Sequence, residues 1–385
     1  MSTSQIHGVL PIPGKAIGIG GLERVVFVVF LALSVNAVLI QTVVSEESQM
    51  KNFVRVGAII LLLAAMVLNN TRIAIWIILA LSMCFALLLM RGNTDQLSYI
   101  FVLLLVPAML PLDERRTIRM LVIGSLVSLV LVFLLLWTGV TQNEILKLRD
   151  RQTFGTNGVP FFYNLVYGAA VLAILYTQKY WRRGRFLVLI ASLVTATALF
   201  TATDARGGYY SLLAFVSLLV VVPIVARVYA LRVTVALLPM LFFPFAFFLA
   251  SRPADADLNQ LWSNRPYLYD AFLSALHPDD YLLSTSVKYF DRVQTIVDNS
   301  YLHLLIGGGI IVCCIVIVIF FRSVMNLFRE GRHVELSFLI ATCFYFNSES
   351  IIVRIENLFV IYFWYLIIKF SGPAGLSSNL SNAAA

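Results

Sequence analysis

Residues 120–141 read MLVIGSLVSLVLVFLLLWTGVT, an apolar run that contains no charged side chain. A bilayer core about 30 Å thick is crossed by roughly 20 apolar residues in helical conformation, so this run predicts a transmembrane helix. Arg115, Arg116 and Arg119 lie just before the run, and basic residues beside a span are typical of its cytoplasmic end. The stretch therefore predicts an all-α membrane protein.

Composition and further runs extend this prediction to the whole chain. Of the 385 residues, 60% are hydrophobic and 12% are charged, and mean hydropathy is +0.89, whereas soluble domains carry about 25% charged residues. This composition excludes a water-soluble globule, a disordered chain, a nucleic-acid-binding module and a disulfide scaffold. With 120–141, the similar apolar runs make about twelve predicted helices: 25–44, 53–69, 73–90, 97–112, 160–178, 186–203, 208–226, 230–250, 300–321, 335–352 and 355–371.

The distribution of lysine and arginine predicts the topology. Among the short connections, basic residues are concentrated in every second one, which places both termini in the cytoplasm. The two longer connections, 142–159 and 251–299, then lie outside. Residues 1–371 are expected to form a single integral membrane domain, and 372–385 a flexible tail. The segment 268–276 has helical apolar spacing and predicts a short helix within the second outer connection.

Charged side chains are nearly absent from the centres of the predicted helices, and the exceptions lie near ends that face outward. Arginine forks match the oxygens of a diphosphate, so this outer face predicts a site for a lipid-linked diphosphate. The outward-facing charged residues are Arg149, Arg151, Arg206, Arg265, Arg292, Asp298, His303, Glu349, Arg354 and Glu356.

Four short segments carry most of these residues, and each also has an ordinary structural explanation. Segment 149–160 has the composition of a solvated loop before a helix, and Arg206 in segment 201–208 can extend toward water from a tight turn. In segment 264–271, Arg265 and Asp270 can form a local ion pair. In segment 298–309, Asp298-Asn299-Ser300 is a good helix N-cap run.

The order of these segments resembles the Wzy family of O-antigen and capsule polymerases, within the superfamily that includes the O-antigen ligase. The resemblance covers most of 140–370. Segment 151–157 is similar to an R…FG…N stretch, and 204–208 is similar to an S-R-G turn, with Asp204-Ala205 in place of serine. Segment 265–271 resembles an R…W..A motif and 298–302 an (H/D)-N-x-Y-L motif. Glu349-Ser350, followed by Asn357, is similar to an E-S…N pattern.

The resemblance implies a glycosyltransferase class C fold and a metal-independent, inverting polymerase without a cofactor. The donor would be a glycan on undecaprenyl diphosphate, and the acceptor the terminal sugar hydroxyl of another lipid-linked repeat unit. The reaction would occur at the periplasmic face of the bacterial inner membrane. The implied partners are these glycans, membrane lipid and a chain-length regulator protein, with no nucleic acid.

The resemblance also implies roles for individual residues. Arg206 and Arg265 would stabilise the leaving diphosphate, and Asp298 would be the general base, with Glu349 or His303 as the next candidates. The ligase branch typically has histidine at the position of Asp298, so the aspartate favours a polymerase. The expected substrate-binding residues are Arg149, Arg151, Asn157, Tyr301, His303 and Glu349.

Two other functions remain open from the sequence. An O-antigen ligase would use the same chemistry, with the lipid A core as acceptor. A lipid-linked oligosaccharide flippase or another transporter would be expected to carry basic residues at mid-membrane depth, and the helix centres here show almost none.

Overall fold

The computed structural model describes residues 19–43, 50–69, 71, 75–93, 95–146, 151–285 and 298–372. Within these residues the regular secondary structure is helical apart from one antiparallel pair of two-residue strands, which confirms the all-α prediction. The helices are α1 Ile19–Thr42, α2 Met50–Leu68, α3 Ile75–Arg91, α4 Gln96–Met109, α5 Glu114–Trp137, α6 Val159–Tyr180, α7 Arg185–Thr203, α8 Arg206–Val225, α9 Tyr229–Ala236, α10 Leu238–Ala250, α11 Ala256–Leu261, α12 Arg265–Ser274, α13 Pro278–Leu283, α14 Ser300–Arg329, α15 His333–Ser348 and α16 Leu358–Phe370. The strands are β1 Ile145–Leu146 and β2 Arg151–Gln152.

Every predicted apolar run contains a helix, and several helices are suited to crossing a bilayer. In the described part of the chain, six are long and apolar enough to do so: α1, α5, α6, α7, α8 and α14. The pair α9 and α10, bent by 49°, adds a seventh if it counts as one span. The shorter apolar helices are Asn52–Leu68, Ile77–Arg91, Gln96–Met109 and Leu358–Phe370. These helices indicate a multi-pass membrane protein.

The exposure of apolar side chains agrees with a lipid environment. Large side chains of α7 such as Phe186, Leu187 and Ile190 lie on the surface, where water would make them unfavourable. By contrast, α6 and α16 are buried over most of their lengths. A helix that is apolar all round belongs in the interior of a bundle. α6 and α16 therefore lie within the bundle, while α7 presents its surface to lipid.

Two predicted helices differ from the sequence pattern. The run 230–250 is broken at Leu237 into α9 and α10, because Pro239 has no N–H to continue the helical hydrogen bonds. α14 continues to Arg329 and is kinked at Gly309, whose φ of 77° and ψ of 166° are not helical. The Gly307 carbonyl instead accepts hydrogen bonds from Asn93 and Gln96, at 3.0 and 2.7 Å. The first turns of α14 are thus a separate short element.

Both long connections contain structure of their own. The first, 142–159, contains the antiparallel strand pair in which Ile145 pairs with Gln152 and Leu146 with Arg151. The second, 251–299, contains α11, α12 and α13, and α12 confirms the predicted short helix. The remainder of that connection, 286–297, and the end of the predicted tail, 373–385, lie outside the described residues.

A network of largely buried charges joins four helices at the end of the molecule where α5 and α15 begin and α6 and α16 end. The Glu114 carboxylate lies 2.5 Å from Lys179 Nζ and 3.3 Å from Lys369 Nζ, and it also contacts Arg332. We call this the distal ion cluster, and its members are Glu114, Lys179, Arg332, Glu335 and Lys369. Ser348 and Glu349 lie at the opposite end of α15, and Arg354 lies in the connection before α16.

Candidate active site

Asp204 accepts hydrogen bonds from Arg151 and Arg206, two of the arginines predicted to belong to the site. It ends α7 in the left-handed conformation, with a φ of 47°, and α8 begins two residues later at Arg206. Arg151 on β2 donates from Nη2 to the carbonyl and to Oδ2 of Asp204, at 2.9 and 3.0 Å. Arg206 donates from Nε to Oδ1 at 3.1 Å. Partial burial acts to raise the pKa of Asp204, but the two guanidinium groups outweigh it and hold that pKa below its usual value.

The two glycines after Arg206 allow α8 to pack closely on its neighbours. A Cβ on Gly207 would lie 2.3 Å from Ser348 Oγ, and one on Gly208 would lie 2.5 Å from the Tyr163 ring. No side chain larger than hydrogen fits at these positions unless the neighbours move. The glycines therefore bring the Arg206 turn against the end of α15, where Ser348 and Glu349 lie.

Arg265 reaches the same end of α15 from the second outer connection. Its Nη2 donates to the Ser348 carbonyl at 2.7 Å. Asp270, the partner expected for a local ion pair, accepts a hydrogen bond from Ser274 at 3.3 Å. One turn after Arg265, the Tyr269 hydroxyl donates to the Asp298 carbonyl at 3.2 Å. α12 thus connects the end of α15 to the start of α14.

Asn299, rather than Asp298, caps α14. Its Oδ1 accepts hydrogen bonds from the backbone N–H groups of Tyr301 and Leu302, at 2.9 and 3.1 Å, which is the usual geometry of an N-cap. Its amide nitrogen donates to Asn347. The structure therefore separates the capping group from the Asp298 carboxylate, which the sequence alone could not do.

The Asp298 carboxyl group is close enough to Glu349 to act on it electrostatically. Burial raises the pKa of both carboxyl groups. Asp298 raises the pKa of Glu349 further, whereas Arg265 and Arg354 lower both values and Arg151 lowers that of Glu349. Two carboxyl groups and three guanidinium groups are therefore close enough to interact, although they come from separate parts of the chain.

Arg354 is a site residue to which the sequence motifs assigned no role. It lies in the connection between α15 and α16, and its guanidinium carbon is 4.8 Å from the centroid of the Phe161 ring, within the range of a cation–π contact. The sequence signal was present, because Arg354 is a single cation within the apolar stretch after Glu349.

The remaining predicted substrate-binding residues have packing partners. Asn157 donates from Nδ2 to the Ile40 carbonyl at 3.1 Å, which ties its loop to α1. The buried Tyr301 hydroxyl donates to the Cys343 carbonyl at 2.9 Å. His303 Nδ1 is hydrogen-bonded to Ser350 Oγ, and its Nε2 lies 3.7 Å from Asp95 Oδ2. Arg149 lies outside the described residues, and substrate binding by this group remains a prediction.

The site brings together groups that can bind a phosphate and groups that can accept a proton. Guanidinium groups bind phosphate oxygens through paired hydrogen bonds, and a carboxylate beside them can accept a proton. Within the described residues, no three His, Cys, Asp or Glu side chains are grouped closely enough to hold a metal ion. Comparison of the chain with family models, curated proteins and solved structures found no match.

Proposed function

We propose that this protein is a membrane-embedded glycosyltransferase that polymerises undecaprenyl-diphosphate-linked oligosaccharide repeat units into O-antigen or capsule polysaccharide. The observation that carries the proposal is the convergence of Arg151, Arg265, Asp298, Glu349 and Arg354 at one end of the helix bundle. These residues also lie in segments whose order resembles the Wzy polymerases.

The arginines can stabilise the negative charge of the diphosphate leaving group. When the bond between the anomeric carbon and the diphosphate breaks, negative charge develops on the lipid diphosphate, and fixed cations stabilise it. Arg206 is the most exposed of the cations near this turn, with 49% of its side chain accessible, so it can meet an incoming diphosphate. Arg265 and Arg354 lie close enough to act electrostatically on both carboxyl groups, and Arg151 acts on Glu349.

The Asp298 and Glu349 carboxyl groups provide a general base for the hydroxyl group of the acceptor sugar. The acceptor hydroxyl oxygen attacks the anomeric carbon from the face opposite the diphosphate, which inverts the configuration. Its proton passes to the Asp298 carboxylate, and the electrons of the broken bond leave with the lipid diphosphate. Glu349 has a raised pKa because it is buried and faces Asp298, so it retains its proton more readily than an ordinary glutamate.

The proposed membrane arrangement has twelve spans in a class C glycosyltransferase fold. Six long helices, the bent pair of α9 with α10, and the shorter α2, α3, α4, α15 and α16 supply them. Short helices cross a bilayer where it thins or where flanking residues extend the path. We place both termini in the cytoplasm of a bacterium and the site at the periplasmic face of the inner membrane, where a chain-length regulator would also bind.

The direct test is polymerisation by the purified protein in lipid vesicles that contain the lipid-linked repeat unit. We expect a ladder of longer lipid-linked glycans, formed equally well in the presence of a metal chelator. Transfer to a lipid A core without any ladder would make the protein a ligase. Repeat units that cross the bilayer without growing would make it a flippase.

Deletion of the gene provides a second, cellular test. A polymerase predicts loss of long chains while a single repeat unit remains attached to its final carrier. Loss of every repeat unit would instead indicate a ligase or a flippase.

A further inference from the structure

Ser300 makes three hydrogen bonds to one short segment of the connection between α15 and α16. Its Oγ donates to the Glu349 carbonyl at 2.5 Å and accepts from the N–H groups of Ile351 and Ile352, at 2.9 and 3.0 Å. A serine hydroxyl has one hydrogen to donate and two lone pairs. The whole bonding capacity of this fully buried side chain is therefore used on the backbone beside Glu349.

The connection 349–357 requires such partners because it is buried but not helical. Buried backbone groups without a hydrogen bond are costly. Beyond Ser300, the Ile352 carbonyl accepts from Trp364 Nε1 at 2.8 Å, and the Ser350 hydroxyl bonds to His303. Both Ser300 and His303 belong to the first turns of α14. This short element therefore holds the backbone at Glu349 and in the three residues that follow it.

Ser300 also lies two residues after Asp298, whose carbonyl is fixed by Tyr269. One side chain thus links the backbone that carries Asp298 to the backbone that carries Glu349. We infer that Ser300 is a positioning residue that sets the separation of the Asp298 and Glu349 carboxyl groups. The inference rests on the proposed function, because it assigns Ser300 a part in that reaction without contact to the substrate.

Removal of the hydroxyl should change how the carboxyl pair titrates as well as how fast the reaction runs. The pKa of Glu349 is raised in part by Asp298, so a wider separation lowers it. The other groups that face the pair are Arg151 on β2, Arg265 and Tyr269 on α12, Tyr345 on α15, and Arg354 in the connection itself.

The experiment compares Ser300→Ala with Ser323→Ala in the vesicle polymerisation assay. Ser323 is a matched control, because it is also a fully buried serine of α14 and bonds to a carbonyl of another helix, that of Ile367. We expect Ser300→Ala to lower kcat about 10- to 100-fold with little change in KM, since small displacements of reacting groups cost up to this much. In the pH profile of kcat, the inflection of the carboxyl pair should move to lower pH. Ser323→Ala should show neither change.

Three further variants complete the test. If Ser300→Ala does not insert or fold, Ser300→Cys retains a weaker donor and acceptor of similar size and should show the same changes at smaller amplitude. A Ser300 variant that folds and matches Ser323→Ala in rate and pH profile would overturn the inference. Asp298→Asn and Glu349→Gln identify failure of the proposed function itself: if both variants polymerise normally, the carboxyl chemistry is wrong, whatever Ser300 does.

Discussion

At the start of α14, helix capping and the proposed acid–base chemistry belong to neighbouring residues. Asn299 accepts the two N–H hydrogen bonds of the cap, so Asp298→Asn should leave the cap intact while it removes the base. We expect transfer to fall at least ~100-fold with little change in unfolding temperature. The control is Asn299→Ala, which should cost about 1 kcal/mol of stability through loss of the cap. Normal transfer by Asp298→Asn would move the base to Glu349.

Arg265 provides the second test at the residue scale. Its guanidinium holds the Ser348 carbonyl at 2.7 Å and faces both carboxyl groups. Lysine keeps the charge but loses the planar fork, so we expect Arg265→Lys to lower the transfer rate about 100-fold. Arg182→Lys, at an exposed position in the short connection between α6 and α7, should retain activity. Similar rates for the two variants would remove Arg265 from the site.

At the scale of elements, the distal ion cluster connects α5, α6, α15 and α16 far from the proposed chemistry. Glu114 contacts three cations. Because buried charges that lose their partner are strongly destabilising, Glu114→Gln should cost about 3–5 kcal/mol, measured as a lowered unfolding temperature in detergent.

The matched control for Glu114 is Glu23→Gln. Glu23 pairs with Arg116, whose side chain is 59% exposed, and exposed pairs contribute about 0–1 kcal/mol. If the two variants unfold at the same temperature, the distal ion cluster does not stabilise the bundle.

Cysteine labelling can test the orientation of the whole protein in the membrane. Single cysteines replace the exposed residues Glu144, Asp257 and Arg182 in a protein from which the four native cysteines have been removed. In intact spheroplasts, an impermeant thiol reagent should label positions 144 and 257, because both lie in the proposed periplasmic connections. Position 182 should react only after permeabilisation. The reverse pattern would place the carboxyl and arginine groups in the cytoplasm and remove the periplasmic assignment.

The fold class and the approximate positions of the helices could be predicted from the amino-acid sequence alone. An apolar run such as 120–141 must satisfy its backbone hydrogen bonds internally in lipid, so a local pattern is enough to predict a helix there. The apolar pattern did not predict the break at Leu237 or the kink at Gly309. Their causes, a proline without an N–H and a glycine with positive φ, act on single turns within otherwise uniform runs.

The contacts between charged groups, by contrast, could not be predicted before the helices were seen packed together. Arg151 and Asp204 are 53 residues apart, Arg265 and Ser348 are 83 apart, and Ser300 reaches the Glu349 carbonyl across 49. The sequence predicted that most of these residues face one side of the membrane, but it did not predict the distal ion cluster or the cap at Asn299. Helix formation depends on neighbouring residues, whereas these contacts depend on how the helices pack and on the close approach that Gly207 and Gly208 allow.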